Sequence, residues 1–251
     1  MAELILETHG LMKRFGGLVA TDTLSIDVRP GELHALIGPN GAGKTTLIGL
    51  LTGEIRPDAG RIVFLGQDIS RLSVAARARR GLARSFQIVQ VLDDDTALAN
   101  VALAVQARAG HSFSFWRNAA EDDALLGPAR ALLDSVGLGP ARWNSRVGDL
   151  SHGERKVLEL AMSLAAKPRL LLLDEPMAGL GASESLRMTE TLRALKGSIP
   201  MLLVEHDMDA VFALADRITV MVYGRAIASG SAADIRADPA VQEAYLAEEH
   251  G

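Results

Sequence analysis

The sequence predicts an α/β fold, and three observations carry that prediction. Short apolar runs alternate with amphipathic stretches along most of the 251 residues. Leu170–Leu173 and Met201–Val204 are apolar at every position, as strands covered on both faces require. Ala35-Leu36-Ile37 runs as a third buried strand directly into a glycine-rich loop. The composition supports a full core: 48% of residues are hydrophobic, and 26 Lys+Arg against 31 Asp+Glu leave a net charge of only −5, far from the signature of disorder.

The elements follow in chain order. After Ala35–Ile37 and its loop, Thr45 to Leu51 has the pattern of a helix, and Arg61 to Phe64 that of a short strand closed by Gly66. From about Asp94 to Ala166 the text is Ala/Leu-rich and helical, broken at Ala109-Gly110-His111. It reads as a helical subdomain, residues 88–166, inserted into a core made of 1–87 and 167–251. Ile218–Val222 and Arg225–Ser229 flank Gly224 and are expected to pair.

Several functions are excluded early. The absence of cysteine rules out disulfides, thiolate zinc sites and cysteine-held iron–sulfur clusters. No run approaches the ~18 apolar residues of a membrane span. Glu3 and Glu7 stand where a secretory signal would carry positive charge, so a soluble, cytosolic chain is expected. An isoelectric point near 5.7 gives no global basic footprint, and no nucleic-acid partner is expected.

The chemistry begins at Gly38-Pro39-Asn40-Gly41-Ala42-Gly43-Lys44-Thr45, a complete G-x-x-x-x-G-K-[ST] loop between a strand and a helix. Backbone N–H groups at a helix N-terminus cradle phosphate, and glycines let the backbone come close. Lys44 reaches the β- and γ-phosphates, the Thr45 hydroxyl ligates Mg²⁺, and Thr46 follows in the same turn. Average composition gives this pattern by chance in on the order of 1% of chains this long. Leu170–Leu173 then delivers Asp174 as a Mg²⁺-associated acid and Glu175 as the group that polarises the attacking water. Leu150-Ser151-His152-Gly153-Glu154 has the form of a helix N-cap with a capping box, and a capped helix N-terminus is also what an anion needs.

Together these residues resemble the ATP-binding cassette (ABC) ATPases, whose LSGGQ signature is matched by Leu150 to Glu154, with His152 for the commoner Gly and Glu154 for the commoner Gln. The resemblance covers essentially the whole chain. It implies a P-loop NTPase core with an antiparallel β subdomain and an inserted helical subdomain, binding ATP and Mg²⁺. In the family the signature, here Ser151 and Gly153, reaches the γ-phosphate held by a second cassette. Gln87 matches the Q-loop residue that touches Mg²⁺ and water, His206 the switch histidine at the γ-phosphate, and Phe15 the aromatic that stacks on adenine. Gly181 departs from the family, standing where most members carry the D-loop Asp.

Arg14–Leu18, Leu158–Ala161, Val204–Met208 and Asp238–Leu246 look like the ATPase subunits of branched-chain amino acid importers, a group that also spans carriers of urea, amides and aromatic acids. That resemblance implies a second cassette, identical or paralogous, transmembrane permease subunits, and indirectly a periplasmic or extracellular solute-binding protein. It implies a peripheral position on the inner face of the membrane. In such importers Gln87 through Asn100 forms the groove that receives a membrane-subunit helix. The alternatives are the lone cassettes of lipopolysaccharide export and of iron–sulfur cluster assembly.

Overall fold

Residues 4–85, 91–109 and 123–246 are described by the computed structural model. They fall into two units: Met1–Leu82 with Arg169–Glu175 and Leu195–Gly251, and Ala83–Pro168 with Pro176–Ala194.

The first unit holds two sheets. The smaller is antiparallel: β1 (Leu6–Phe15) pairs with β2 (Leu18–Leu24), with the two-residue β3 (Asp27–Val28), and with β5 (Ala59–Phe64), which continues to β6 (Gln67–Asp68). The larger sheet is mostly parallel. Its order is β11 (Arg225–Gly230), β10 (Arg217–Val222), β4 (Leu33–Ile37), β9 (Met201–Val204), β8 (Leu170–Asp174), and last β7 (Leu82–Ser85), of which only Leu82 belongs to this unit. Only the β10–β11 hairpin is antiparallel among its registered pairs, turning at Tyr223-Gly224 as expected. β4, β9 and the first four residues of β8 are buried throughout, which explains the unbroken apolar text of β9 and of those four residues; in β4 only His34 interrupts it. The core between the sheets joins Leu6, Leu11, Ile62 and Phe64 to Leu36, Leu172, Leu202 and Val204, and to α1 (Lys44–Thr52) through Leu47, Ile48, Leu50 and Leu51.

Two buried polar residues fix this core. Arg77, on α2 (Val74–Arg79), is 1% exposed. Its guanidinium donates to the carbonyls of Leu50 and Leu51, each at 2.7 Å, and to those of Leu72 and Ser70, so it satisfies the last turn of α1. His34, fully buried in β4, lies 2.8 Å from the Asp27 carbonyl and 2.7 Å from the Thr219 hydroxyl. A carbonyl can only accept, so Nδ1 carries the proton and Nε2 accepts from Thr219, which itself lies 2.8 Å from Ser229 Oγ. This arrangement suits a neutral ring. Burial, followed by the Arg217 charge, pushes the imidazole down from 6.5 to about 4. Nearby, Arg217 bonds both Asp27 and Glu32. Burial pushes those two carboxyls up, and Arg217 overrides it, holding both below their ordinary values.

The sign of the resulting pH dependence is fixed. The unfolded His34 takes up its proton near 6.5 and the folded one only near 4, so acidification through that window favours unfolding. The Asp27 and Glu32 contributions fail in turn at still lower pH. Stability at pH 5 is expected to fall below that at pH 7 by about 2 kcal/mol on account of His34. Chemical denaturation of wild type and His34→Gln at both pH values checks it, the variant losing most of the difference.

The second unit is helical: α3 (Ala97–Ala109), α4 (Asp123–Ser135), the short α5 (Pro140–Trp143), α6 (His152–Ala165) and α7 (Ala182–Leu195, of which the last residue belongs to the first unit). Val101, Leu126, Ala129, Leu133, Leu158 and Ala161 are buried in it. The expected break at Ala109-Gly110-His111 falls mostly outside the described residues. In the first unit the chain ends in α8 (Met208–Leu214), α9 (Ala232–Ala237) and α10 (Pro239–Leu246).

Candidate functional site

The parallel register brings three strand ends abreast. Leu36 of β4 is level with Val204 of β9, and Val204 with Asp174 of β8. The loop Gly38–Thr45 leaves β4 there, Glu175 follows β8, and Glu205-His206 follows β9. Ligands of open α/β sheets collect at this carboxyl edge. Asp174 lies two strand spacings from β4, about 10 Å.

The loop is built on contacts that exclude side chains. Gly38 has φ 149°, and a Cβ there would fall 2.0 Å from the Met221 carbonyl oxygen. Gly43 has φ 101°, and its Cβ would fall 2.1 Å from the Ala20 carbonyl oxygen. Both positions therefore require glycine. Lys44 is the first residue of α1 and nearly buried; its Nζ donates to the carbonyls of Gly38 at 2.5 Å and Pro39 at 3.0 Å, bracing the loop over itself. Asn40, Gly41 and Thr45 are exposed, Ala42 is buried, and Pro39 and Thr46 are half-buried. Phe15 ends β1 on the hairpin whose Ala20 carbonyl packs against Gly43. It is 48% exposed, with Lys13 Nζ 5.4 Å from the ring centre, so it is available to a flat ligand rather than part of the core.

Glu175 and His206 meet directly, with Nε2 3.0 Å from Oε1. Glu175 holds a left-handed backbone, φ 51°, uncommon for a residue with a side chain, and its N–H donates to the Val204 carbonyl at 2.9 Å. Such outliers cluster at functional sites. His206 is fixed by two neighbours. The buried carboxylate of Glu205 accepts from the N–H groups of His206 at 2.7 Å and Asp207 at 3.2 Å, and Asp207 caps α8 by accepting from Ala210 N–H. Sequence reasoning gave Glu205 no role; its only signal is an acid between a buried strand and a helix cap. Thr45 and Asp174 offer oxygen donors of the kind a hard divalent cation takes. Gln87, Ile88 and Val89 lie outside the described residues. Of the rest of that segment, buried Asn100 fastens Leu92, accepting from its N–H at 2.8 Å and donating to its carbonyl at 3.2 Å.

In the second unit, Ser151 caps α6. Its Oγ accepts from Glu154 N–H at 3.2 Å, and Glu154 Oε2 accepts from Ser151 N–H at 2.9 Å, the expected capping box. Arg142 pairs with the other Glu154 oxygen at 2.8 Å, compensating the charge that a Gln would not bring. Gly153 is buried because the Glu184 carboxylate crowds it: a Cβ there would fall 2.6 Å from Oε1. His152 lies beside Gly179, where a Cβ would come within 3.3 Å of its Nε2.

Comparison with known proteins gives the family and the fold. A family model described as ABC transporter matches residues 21–178, and one described as Branched-chain amino acid ATP-binding cassette transporter matches residues 227–246. The chain is 36% identical to the high-affinity branched-chain amino acid transport ATP-binding protein LivG of Escherichia coli, over 99% of this chain and 100% of that one. It is 38% identical to the probable branched-chain amino acid transport ATP-binding protein LivG of Archaeoglobus fulgidus, over 96% and 95%. A crystal structure of an ATP-binding cassette of an ABC transporter in its ADP conformation superposes with TM-score 0.84 at 30% identity, covering 97% of this chain and 98% of that one.

Proposed function

This chain belongs to the ABC transporter family, and on that premise we propose that it couples ATP hydrolysis to the import of branched-chain amino acids or related small polar or amide solutes. It is an ABC-type ATPase, and the P-loop NTPase core, antiparallel sheet and helical unit are those of its solved relatives. Lipopolysaccharide export and iron–sulfur assembly are not favoured by the relatives. The observation that carries the catalytic reading is the Glu175–His206 contact of 3.0 Å at the sheet edge where the phosphate loop opens. The C-terminal match at residues 227–246 carries the choice of solute.

The amides of Gly38, Pro39-flanking Asn40, Gly41, Ala42, Gly43 and Lys44, with the Lys44 ammonium, hold the polyphosphate, while Phe15 stacks on the base and Thr46 lines the same turn. Thr45, Asp174 and Gln87 hold Mg²⁺, which supplies neutralisation of phosphate charge when bound. Glu175 orients the attacking water and takes up its proton; His206, hydrogen-bonded to Glu175, contacts the γ-phosphate. Ser151 and Gly153 of a second cassette, identical or paralogous, complete the site. The pair works on the inner face of the membrane against permease subunits, which a solute-binding protein loads from outside. Among the described residues no helix is long and apolar enough to cross a membrane.

The native absence of cysteine makes the shared site testable. Chains with Asn40→Cys are mixed with chains carrying Ser151→Cys, all in a Glu175→Gln background, and treated with a short bifunctional thiol reagent. An inter-chain crosslink favoured by ATP over ADP is expected, because nucleotide binds the closed pair better than the open chain. Efficient crosslinking within one chain carrying both thiols, at high dilution, would reject the shared site.

A further inference from the structure

Glu184, near the start of α7, does something at the Ser151 motif that no motif in the sequence announces. Its Oε1 accepts from the Ser151 hydroxyl at 3.1 Å and from Gly153 N–H at 3.3 Å, and its Oε2 takes a longer 3.4 Å contact from Gly181 N–H. Gly153 has no Cβ to block this approach, and Gly181 stands where the resemblance leads one to expect an Asp of its own. The Ser151 hydroxyl, already accepting from Glu154 N–H, donates its one hydrogen to Glu184.

We propose that Glu184 is an internal carboxylate ligand of the Ser151 motif, and that the γ-phosphate carried by a second cassette must displace it before the pair can close. The inference rests on the shared-site reading above. A hydroxyl has one hydrogen and so does an amide, so Ser151 and Gly153 cannot serve carboxylate and phosphate together. Two anions at one helix N-terminus also repel. The Ser151 hydrogen bond, then the Gly181 amide, hold the Glu184 carboxyl below its ordinary value, so it is ionised wherever the protein is folded near neutral pH. It is a side chain at the surface, able to swing into water once released. The carboxylate therefore acts as a threshold: it keeps the donors oriented and occupied until a stronger anion arrives.

The test measures ATP-driven pairing of the purified full-length chain in the Glu175→Gln background by light scattering across an ATP titration. Glu184→Ala is expected to lower the half-maximal ATP concentration by about three- to tenfold, the scale of one solvent-exposed, charge-assisted hydrogen bond. Glu184→Gln keeps the acceptor without the charge and is expected to fall between parent and Ala. Glu190→Gln removes the same charge from the same helix, beside the same cleft, and should leave the half-point unmoved. A parent that pairs while both Glu184 variants leave the half-point unchanged or raise it overturns the proposal alone, since Glu184 would then be bystander or support. An equal shift from Glu190→Gln also overturns it, as a net-charge effect. A parent that does not pair with ATP overturns the shared site and this proposal together.

Discussion

Glutamine at position 175 is expected to lower ATP turnover by about 100-fold or more while leaving nucleotide affinity within a few-fold of wild type. The shape of the side chain is kept, and Gln tolerates the left-handed φ of 51° no worse than Glu, so the backbone bond to Val204 persists. What is lost is the charge that orients water and accepts its proton, together with the charged partner of His206. Steady-state hydrolysis and equilibrium nucleotide binding, measured on the same preparation, separate the two quantities. Near-normal hydrolysis would reject Glu175 as the base.

Lys44→Ala acts at the other end of the chemistry and should lower both nucleotide affinity and turnover. Its ammonium ties the Gly38 and Pro39 carbonyls at 2.5 and 3.0 Å and, on the proposed reading, meets the polyphosphate, so its loss is expected to loosen the loop and delete a charge at once. Affinity is expected to fall roughly 10- to 100-fold. Alanine is a good helix former, so α1 itself should persist. His206→Ala is the contrasting variant: His206 hangs from the turn after β9, bonded to Glu175, and its loss should spare binding while impairing hydrolysis. A titration in which both variants lose ATP equally would contradict this division.

Legibility in the sequence divides along a physical line. Leu170–Leu173 and Met201–Val204 announced themselves because strands buried on both faces leave no polar position to confuse the pattern. The phosphate loop was legible because its glycines answer to contacts as close as 2.0 and 2.1 Å, which no other residue survives. The Ser151 cap was legible because both members of the box lie within four residues. β1 and β2 gave no comparable signal: Leu6–Phe15 alternates imperfectly, carries two register shifts against β2, and contains Gly10 and two adjacent cations. Glu205 and Glu184 were illegible for a different reason. Glu184 acts on groups that only the tertiary fold brings near, reaching Ser151 across 33 positions of chain, and an isolated acid on a helix looks the same whether or not it has such a partner. Glu205 serves the amides of the next two residues, but a single acid after a strand carries no pattern that shows its side chain turning back onto them.

The two ends of α1 differ in what they still need. Its carbonyl end is already served by the Arg77 guanidinium, a counter-charge for the negative pole of the helix. Its amide end has no acidic residue in the first turn and instead begins with the ammonium of Lys44, so like charge sits on the positive pole. On the proposed reading, the polyphosphate of the nucleotide is the counter-charge for this end of the helix. Nucleotide is thereby a folding ligand as well as a fuel: at a hundred times its dissociation constant it adds about 2.7 kcal/mol to the stability of the native chain. Saturating nucleotide is therefore expected to raise the thermal midpoint of the purified chain, a gain that differential scanning calorimetry with and without nucleotide measures directly.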